Sequence, residues 1–179
     1  TGRVKDLFKT SKGKYVAPAP IEDRLGMHVD IEACCVTGAN LAQPLGIAML
    51  SPQGLERASS EAERTALMAE LSKHLDDVNS RLDPHEQLDA LVLIKTPWTV
   101  DNGFITPTFK VKRNRIEEAY SGSFENWVSK KSKGSYDIEL ESGYKAKWNL
   151  IDYGNEWIMN PNSIDEVVAG SYGTIRTAY

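Results

Sequence analysis

The feature that most constrains the fold is one long amphipathic segment in the middle of the chain. Ser60 followed by Glu63 has the spacing of a capping box, and apolar residues then recur at steps of three and four. These residues are Leu67, Leu71, Leu75, Val78 and Leu82. The pattern predicts a helix over 61–82 whose apolar face is buried and whose charged face is solvated.

Short apolar runs on both sides of this segment predict strands. Residues 31–37, 45–50 and 88–94 are apolar runs separated by Gly, Pro and Asn, and the first two form a candidate hairpin. A short helix is predicted over 21–27, after Pro20, because Ile21 and Leu25 are spaced one turn apart.

The remaining segments complete an α+β pattern. The first twenty residues are rich in Lys, Gly and Pro, which favours a loop with short extended pieces. Residues 99–108 contain Asn102-Gly103 and are predicted to be a loop or tight hairpin, and a basic helix is predicted over 110–120. We therefore expect a small three-stranded sheet with flanking helices and an N-terminal hinge or hairpin.

A change of pattern after Ser121 predicts a domain boundary. The polar run at 127–135 separates a domain at 1–132 from an appended tail at 133–179. In the tail, apolar residues alternate with charged ones over two short stretches, which predicts two strands. Their apolar members are Tyr136, Ile138 and Leu140, then Tyr144, Ala146 and Trp148. The tail is therefore an appendage of β character, and its role stays open.

Composition excludes several classes of protein. The 179 residues are 41% hydrophobic, which is enough to bury a core, and the net charge of −4 gives no global attraction to nucleic acid. No run approaches the roughly 20 apolar residues of a membrane span, and the start lacks the pattern of a signal peptide. Cys34 and Cys35 are neighbours and are expected to be reduced core residues. We expect a cytoplasmic protein, cut from a longer one because no initiating Met is present.

Common catalytic and metal motifs are absent from the sequence. His28, His74 and His85 share no metal-ligand spacing, and neither Cys-x-x-Cys nor His-Glu-x-x-His occurs, so no metal site is expected. There is no Gly-x-Ser-x-Gly elbow and no phosphate-binding Gly-x-x-x-x-Gly-Lys loop.

Two clusters of basic residues lie at 5–14 and 110–115. They could form a patch for nucleic-acid phosphates, but they lack the interleaved aromatic residues of a stacking surface. Lys112, Arg113 and Arg115 are interpreted as charges on a helix face.

The first cluster lies in a longer recognisable segment. It reads Thr1-Gly-Arg-Val-Lys-Asp-Leu-Phe-Lys-Thr-Ser-Lys-Gly-Lys-Tyr-Val-Ala-Pro-Ala-Pro-Ile-Glu22. It resembles the hinge motif of AMP-forming acyl-CoA synthetases, adenylation domains and luciferases, in which a Gly-containing loop leads to a Pro-x-x-Ile-Glu helix. The amino-acid sequence around Gly13 is similar to that of the long-chain fatty acid branch.

The second cluster also resembles a motif of that family. It reads Asn102-Gly-Phe-Ile-Thr-Pro-Thr-Phe-Lys-Val-Lys-Arg-Asn-Arg-Ile116. The family's C-terminal catalytic motif reads Gly-Lys-x-x-Arg in most branches, and here Phe109 stands where the glycine would be. The resemblance covers about 1–132, and the tail matches nothing in the family.

The resemblance implies roles for individual residues in adenylation. Lys110 would be the adenylation lysine, which bridges the acyl carboxylate and the phosphate or ribose oxygens. Arg3 would contact the ribose hydroxyls, and Lys5 would be the hinge about which the domain rotates. After rotation, the loop around Gly13 would face coenzyme A, with Lys12 and Lys14 near its phosphates.

The resemblance therefore implies an ATP-dependent, AMP-forming long-chain fatty acid–CoA ligase, of which this chain is the C-terminal domain. Its partners would be the missing N-terminal adenylation domain and the fatty acid. ATP or AMP, coenzyme A and Mg²⁺ would be the cofactors, bound mainly by that missing domain, so the chain alone is expected to be inactive. Peripheral contact with a membrane stays open. The alternative is a free-standing interaction or regulatory module whose tail recruits a partner.

Overall fold

The computed structural model describes residues 7–124, 127, 148–152 and 155–161, and side chains beyond Trp127 are described only for 155–159. The helices, in chain order, are α1 (Pro18–Leu25), α2 (Pro52–Ser59), α3 (Glu61–Ser80) and α4 (Arg113–Tyr120), with short 3₁₀ turns at Pro84–Glu86 and Ser121–Ser123. The strands are β1 (Phe8–Lys9), β2 (Tyr15–Val16), β3 (Ile31–Thr37), β4 (Leu45–Leu50), β5 (Ala90–Ile94), β6 (Trp148–Asp152) and β7 (Glu156–Pro161).

The strands form two sheets. β1 and β2 make a small antiparallel hairpin, and the other five strands form one sheet in the order β3-β4-β5-β7-β6. β4 and β5 are parallel, with α2 and α3 in the connection between them, whereas the other neighbours in this sheet are antiparallel. The α+β prediction is confirmed, and its three strands β3, β4 and β5 are three of the five strands of the larger sheet.

The large sheet has a hydrophobic core on each face. Successive residues of β5 point to opposite faces, so Leu91 and Leu93 pack in the core that contains the apolar residues of α1 and α3. Val92 and Ile94 pack in the second core, with buried residues of the segment between β5 and Trp127. A helical layer thus covers one face, and the segment that contains Lys110 and α4 covers the other.

The long helix forms where the apolar spacing predicts it, but its cap differs. α3 ends at Ser80, and the predicted apolar face is buried at Leu67, Leu71, Leu75 and Val78. The capping box is wrong, because among the described residues none donates a cap bond to the Ser60 hydroxyl.

The neighbouring helix α2 was missed by the sequence analysis. It is only eight residues long, but Ser51 is its N-cap, and the Ser51 hydroxyl accepts the N–H of Gly54 at 3.0 Å. Pro52 at the first helical position was the available signal, since proline suits that position. The same preference of proline explains why α1 begins at Pro18, earlier in the chain than the predicted helix over 21–27.

The described part of the tail is paired with the large sheet. β7 is antiparallel to β5, and its central side chains are buried on both faces of the sheet: Trp157 and Met159 lie in the first core, and Ile158 lies in the second. The strand predicted over 136–140, and residues 144–147 of the next one, lie outside the described residues. The boundary between 132 and 133 stays a prediction.

Candidate functional site

Lys110 lies at the end of a tight turn in the segment between β5 and α4. The backbone N–H of Thr106 donates to the Lys110 carbonyl at 2.8 Å, and the N–H of Lys110 donates to the Thr106 hydroxyl at 2.9 Å. Beside this turn, Ile105 and Val111 form an antiparallel bridge, and Ile105 is buried. Hydrogen bonds to Thr106 therefore hold both the N–H and the carbonyl of Lys110, while its side chain is exposed.

Phe109 gives this turn an unusual backbone. Its N–H donates to the Thr106 carbonyl at 2.8 Å, and its φ is 63°, in the left-handed region. Pro107 occupies the second position of the turn, which its fixed φ suits. Hairpin turns of this kind normally place glycine at the left-handed position. The position that the family motif gives to glycine is thus left-handed here, although a phenylalanine occupies it.

A bidentate ion pair fastens the start of α4 to the rest of the domain. The Nη1 and Nη2 atoms of Arg113 donate to the two carboxylate oxygens of Glu22 at 2.7 and 2.9 Å. Nη1 also donates to the Val36 carbonyl at 2.8 Å, and Glu22 in turn accepts the N–H of Val36 at 2.7 Å. This geometry combines charge with directional hydrogen bonds. It joins α1, β3 and α4 three residues after Lys110.

The interpretation of three basic residues as helix-face charges is wrong for Arg113, which is largely buried against Glu22. Lys112 and Arg115 are exposed, as expected, and the Arg115 guanidinium lies 5.0 Å from the centre of the Phe104 ring. A signal for the missed ion pair was present, because Glu22 and Arg113 end the Pro-x-x-Ile-Glu and Lys-x-x-Arg motifs.

An open cleft of about 420 Å³ lies beside Lys110, between α1 and β3. Its charged lining consists of the carboxylates of Glu22, Asp23 and Glu32 and the cations of Lys110 and Arg113. Arg113 is paired with Glu22, and within the described part of the chain Lys110 makes no ion pair. Since Arg113 neutralises Glu22, the carboxylates of Asp23 and Glu32 remain beside the single ammonium group of Lys110, and this lining does not suit a phosphate-binding cradle.

The predicted coenzyme A loop is the turn of the β1–β2 hairpin. Gly13 has a φ of 81°, and its N–H donates to the Thr10 carbonyl at 2.9 Å. The N–H of Thr10 donates to the Lys14 carbonyl at 2.9 Å, which closes the turn. Lys12 donates to the Gln43 amide oxygen at 3.3 Å, so the turn lies against the β3–β4 connection. Lys12, Gly13 and Lys14 are all exposed.

The structure places these two groups of predicted residues in different parts of the domain. Lys110 lies at the cleft between α1 and β3, whereas Gly13 lies beside the loop that follows β3. Arg3 and Lys5 lie outside the described residues, so the ribose contact and the hinge stay predictions.

A second charged cluster, away from Lys110, was missed because its members come from different elements. The Nε2 atom of His28 lies 3.7 Å from Glu70, and its Nδ1 atom lies 4.0 Å from Asp30. Arg57 donates to Asp30 at 2.7 Å and to both oxygens of Glu70 at 2.8 and 3.2 Å. The hydrogen bonds from Arg57 lower the pKa of Glu70, and burial together with nearby His74 lowers the pKa of His28. Because a guanidinium already pairs with both carboxylates, this cluster is built as an ion-pair network.

The two cysteines are free thiols without the environment of a nucleophile. Burial raises the pKa of Cys34 to about 12 and also raises the pKa of Cys35. A thiol with such a pKa stays protonated near neutral pH, so both cysteines act as core residues. Among the described helices, none combines the length and apolar character needed to cross a membrane.

Comparison with known proteins agrees with the motifs and the fold. Residues 5–132 match the family model of the AMP-binding enzyme C-terminal domain. A long-chain-fatty-acid–CoA ligase of Mycobacterium tuberculosis is 30% identical over 139 residues, which are 70% of this chain and 23% of that protein. The peroxisomal long chain acyl-CoA synthetase 6 of Arabidopsis thaliana is 28% identical over 155 residues, which are 79% of this chain and 22% of that protein.

Among solved structures, the adenylation domain of a carboxylate reductase from Mycobacterium chelonae has the same fold. The TM-score is 0.61 at 23% identity, and the match covers 72% of this chain and 20% of that one. The chain thus spans less than a quarter of the length of the relatives it matches.

Proposed function

Because the chain belongs to the C-terminal domain family of AMP-binding enzymes, we propose that it is the C-terminal domain of an ATP-dependent, AMP-forming acyl-CoA ligase. The named relatives are long-chain fatty acid ligases, which supports the same substrate class here. The proposed whole enzyme joins a fatty acid to coenzyme A through an acyl-adenylate.

One observation carries this proposal. Lys110 is an exposed lysine with no ion pair in the described residues, on a turn whose backbone is braced by Thr106. Arg113, three residues later, is anchored to Glu22. A cation held this way can enter a neighbouring site while the turn that carries it keeps its shape.

The chemistry of adenylation requires such a cation. When a fatty acid carboxylate attacks the α-phosphate of ATP, negative charge is concentrated on the reacting oxygens and on the departing pyrophosphate. Lys110 donates hydrogen bonds to carboxylate and phosphate oxygens and supplies a fixed positive charge. Closure of the domain would remove water from around Lys110, which strengthens these interactions.

The large N-terminal domain supplies the rest of the adenylation site in this proposal. Glu22, Asp23 and Glu32 line the cleft beside Lys110, so the phosphates are expected to be held mainly on the other domain, where the family resemblance also places Mg²⁺. The chain by itself is therefore expected to be inactive.

The β1–β2 turn supplies a second functional surface, which faces coenzyme A. A left-handed Gly13 leaves the backbone open to close approach by the pantetheine chain of coenzyme A, and Lys14 is exposed beside it. Rotation about Lys5 would exchange the Lys110 surface for the Gly13 surface between the two half-reactions.

The test separates the two half-reactions in the complete ligase, in which this chain works with its large domain. Lys110→Ala should reduce pyrophosphate release during adenylation by at least about a hundredfold, the scale seen when a charge-stabilising donor is lost. Thioester formation from preformed acyl-adenylate should stay close to that of the parent. Lys112→Ala is the matched control, since Lys112 is also an exposed lysine and lies two residues away. Equal loss in both half-reactions, or the same loss in the control, would reject the role of Lys110.

A further inference from the structure

Phe109 combines a strained backbone with an exposed aromatic ring. Its φ of 63° lies in the region that bulky residues rarely adopt, and 55% of its surface is exposed. Strained residues persist only where something else requires them, and they concentrate at active sites, ligand clamps and switches.

Folding of this domain does not explain the phenylalanine. The hydrogen bonds that close the turn run between Thr106 and the backbones of Phe109 and Lys110, and glycine would make the same bonds without strain. More than half of the Phe109 surface also stays exposed, so most of the apolar burial that a phenylalanine can contribute is not used within the described chain. The benefit that offsets the strain must therefore come from a surface outside the described part of the chain.

The position of Phe109 indicates which surface that is. Adjacent Cα atoms lie about 3.8 Å apart across a trans peptide, so Phe109 travels wherever Lys110 travels. The turn that braces Lys110 also fixes the backbone of Phe109.

We propose that Phe109 is a positioning residue for adenylation, whose ring packs against the large domain when Lys110 enters its site. This inference rests on the proposed function of Lys110. The packed ring sets how deeply the Lys110 ammonium group enters, and it excludes water from the reacting oxygens. Both effects matter, because small errors in the position of a catalytic group reduce the rate strongly and water weakens its electrostatic effect.

Three variants separate the ring from the strain. Phe109→Tyr keeps the ring, Phe109→Ala removes the ring but keeps a side chain in the left-handed region, and Phe109→Gly removes both. Each is measured in the complete ligase for adenylation and for thioester formation from preformed acyl-adenylate. The melting temperature of the 179-residue chain is measured for the same variants as a readout that is independent of activity.

The expected result is a loss of at least about tenfold in adenylation for both the Ala and the Gly variants, with thioester formation unchanged. The Tyr variant keeps adenylation within about threefold of the parent. The Gly variant melts at or above the temperature of the parent, because its backbone strain is relieved. Loss of adenylation in a chain that is no less stable separates positioning from a structural role.

Other outcomes overturn the inference. Unchanged adenylation in the Ala variant, loss confined to the Gly variant, or equal loss in both half-reactions would each exclude a positioning role for the ring. Lys110→Ala, measured in parallel, identifies which proposal fails. If that variant loses adenylation and Phe109→Ala does not, only this inference is wrong, whereas intact adenylation in Lys110→Ala would reject the proposed function as well.

Discussion

The ion pair between Arg113 and Glu22 yields a quantitative prediction about the stability of the domain. Arg113→Met removes the guanidinium and keeps much of the side chain's apolar volume. The change deletes two charge-assisted hydrogen bonds to Glu22 and one to the Val36 carbonyl. It also leaves the Glu22 carboxylate facing a β3 backbone without its cation.

The magnitude follows from burial. Removing one partner of a fully buried pair costs about 3–5 kcal/mol. The side chains of Arg113 and Glu22 are 20% and 18% exposed, so solvent screens part of the effect. We expect a loss of about 2–3 kcal/mol, which at roughly 2–4 °C per kcal/mol for a domain of this size lowers the melting temperature by about 4–12 °C.

The assay is urea unfolding of the 179-residue chain, followed by far-ultraviolet circular dichroism, with the melting temperature as a second measure. Arg81→Met is the matched control, because Arg81 pairs with Asp77 at 3.5 Å and both side chains are more than half exposed. That variant should cost less than about 0.5 kcal/mol. The double variant with Glu22→Gln should show a coupling energy of about 1–2 kcal/mol between the two positions.

The reasoning is refuted if Arg113→Met is no more destabilising than Arg81→Met. It is also refuted if the losses caused by Arg113→Met and Glu22→Gln are additive, because independent effects would mean that the ion pair does not hold α1 and α4 together.

Two further predictions follow from other parts of the structure. Because the folded-state pKa of His28 is below its ordinary value of 6.5, the stability that depends on His28 should be constant well above pH 6.5 and should fall as the pH drops through 6.5. The lowered pKa of Glu70 acts only below its ordinary value of 4.5, and the raised pKa of Glu156 changes stability in the opposite direction. His28→Gln should therefore remove the loss between pH 6.5 and 5 in urea titrations, and a persistent loss would exclude His28 as its source. Ile158→Ala in β7 should cost about 2–4 kcal/mol, since Ile158 is fully buried in the second core. An effect below about 0.5 kcal/mol in thermal unfolding would show that the tail strand contributes little to the domain.

Periodicity predicted the elements whose pattern is local. The bounds of β3 and β4 agree with the apolar runs, and α3 begins at the predicted residue. The pairing of β7 with β5 was out of reach, because strand pairing at long separation depends on tertiary packing. The predicted capping box at Ser60 was wrong for a related reason. The spacing of Ser60 and Glu63 does not show whether the Ser60 hydroxyl accepts a backbone hydrogen bond.

Part of the candidate site could likewise be predicted from a sequence motif, and part became evident only from the structure. The motif predicts a role for Lys110, whose exposed position suits that role, and the role stays a prediction. The interpretation of Arg113 as a surface charge was wrong, because its partner is 91 residues away. Turn chemistry favours glycine at the position before Lys110, so the left-handed Phe109 became evident only from its backbone angle.

The ion pair also links the two motifs physically. Glu22 lies on α1, at the end of the segment that resembles the hinge motif, and Arg113 begins the helix that follows Lys110. Since Arg113 bonds to both oxygens of Glu22 and to β3, these elements are expected to move together if the domain rotates as proposed. A rotation at the hinge would then carry the Lys110 turn as part of one rigid body. In that case, weakening the ion pair would loosen the orientation of Lys110 as well as lower stability, so adenylation should fall more than thioester formation in Arg113→Met.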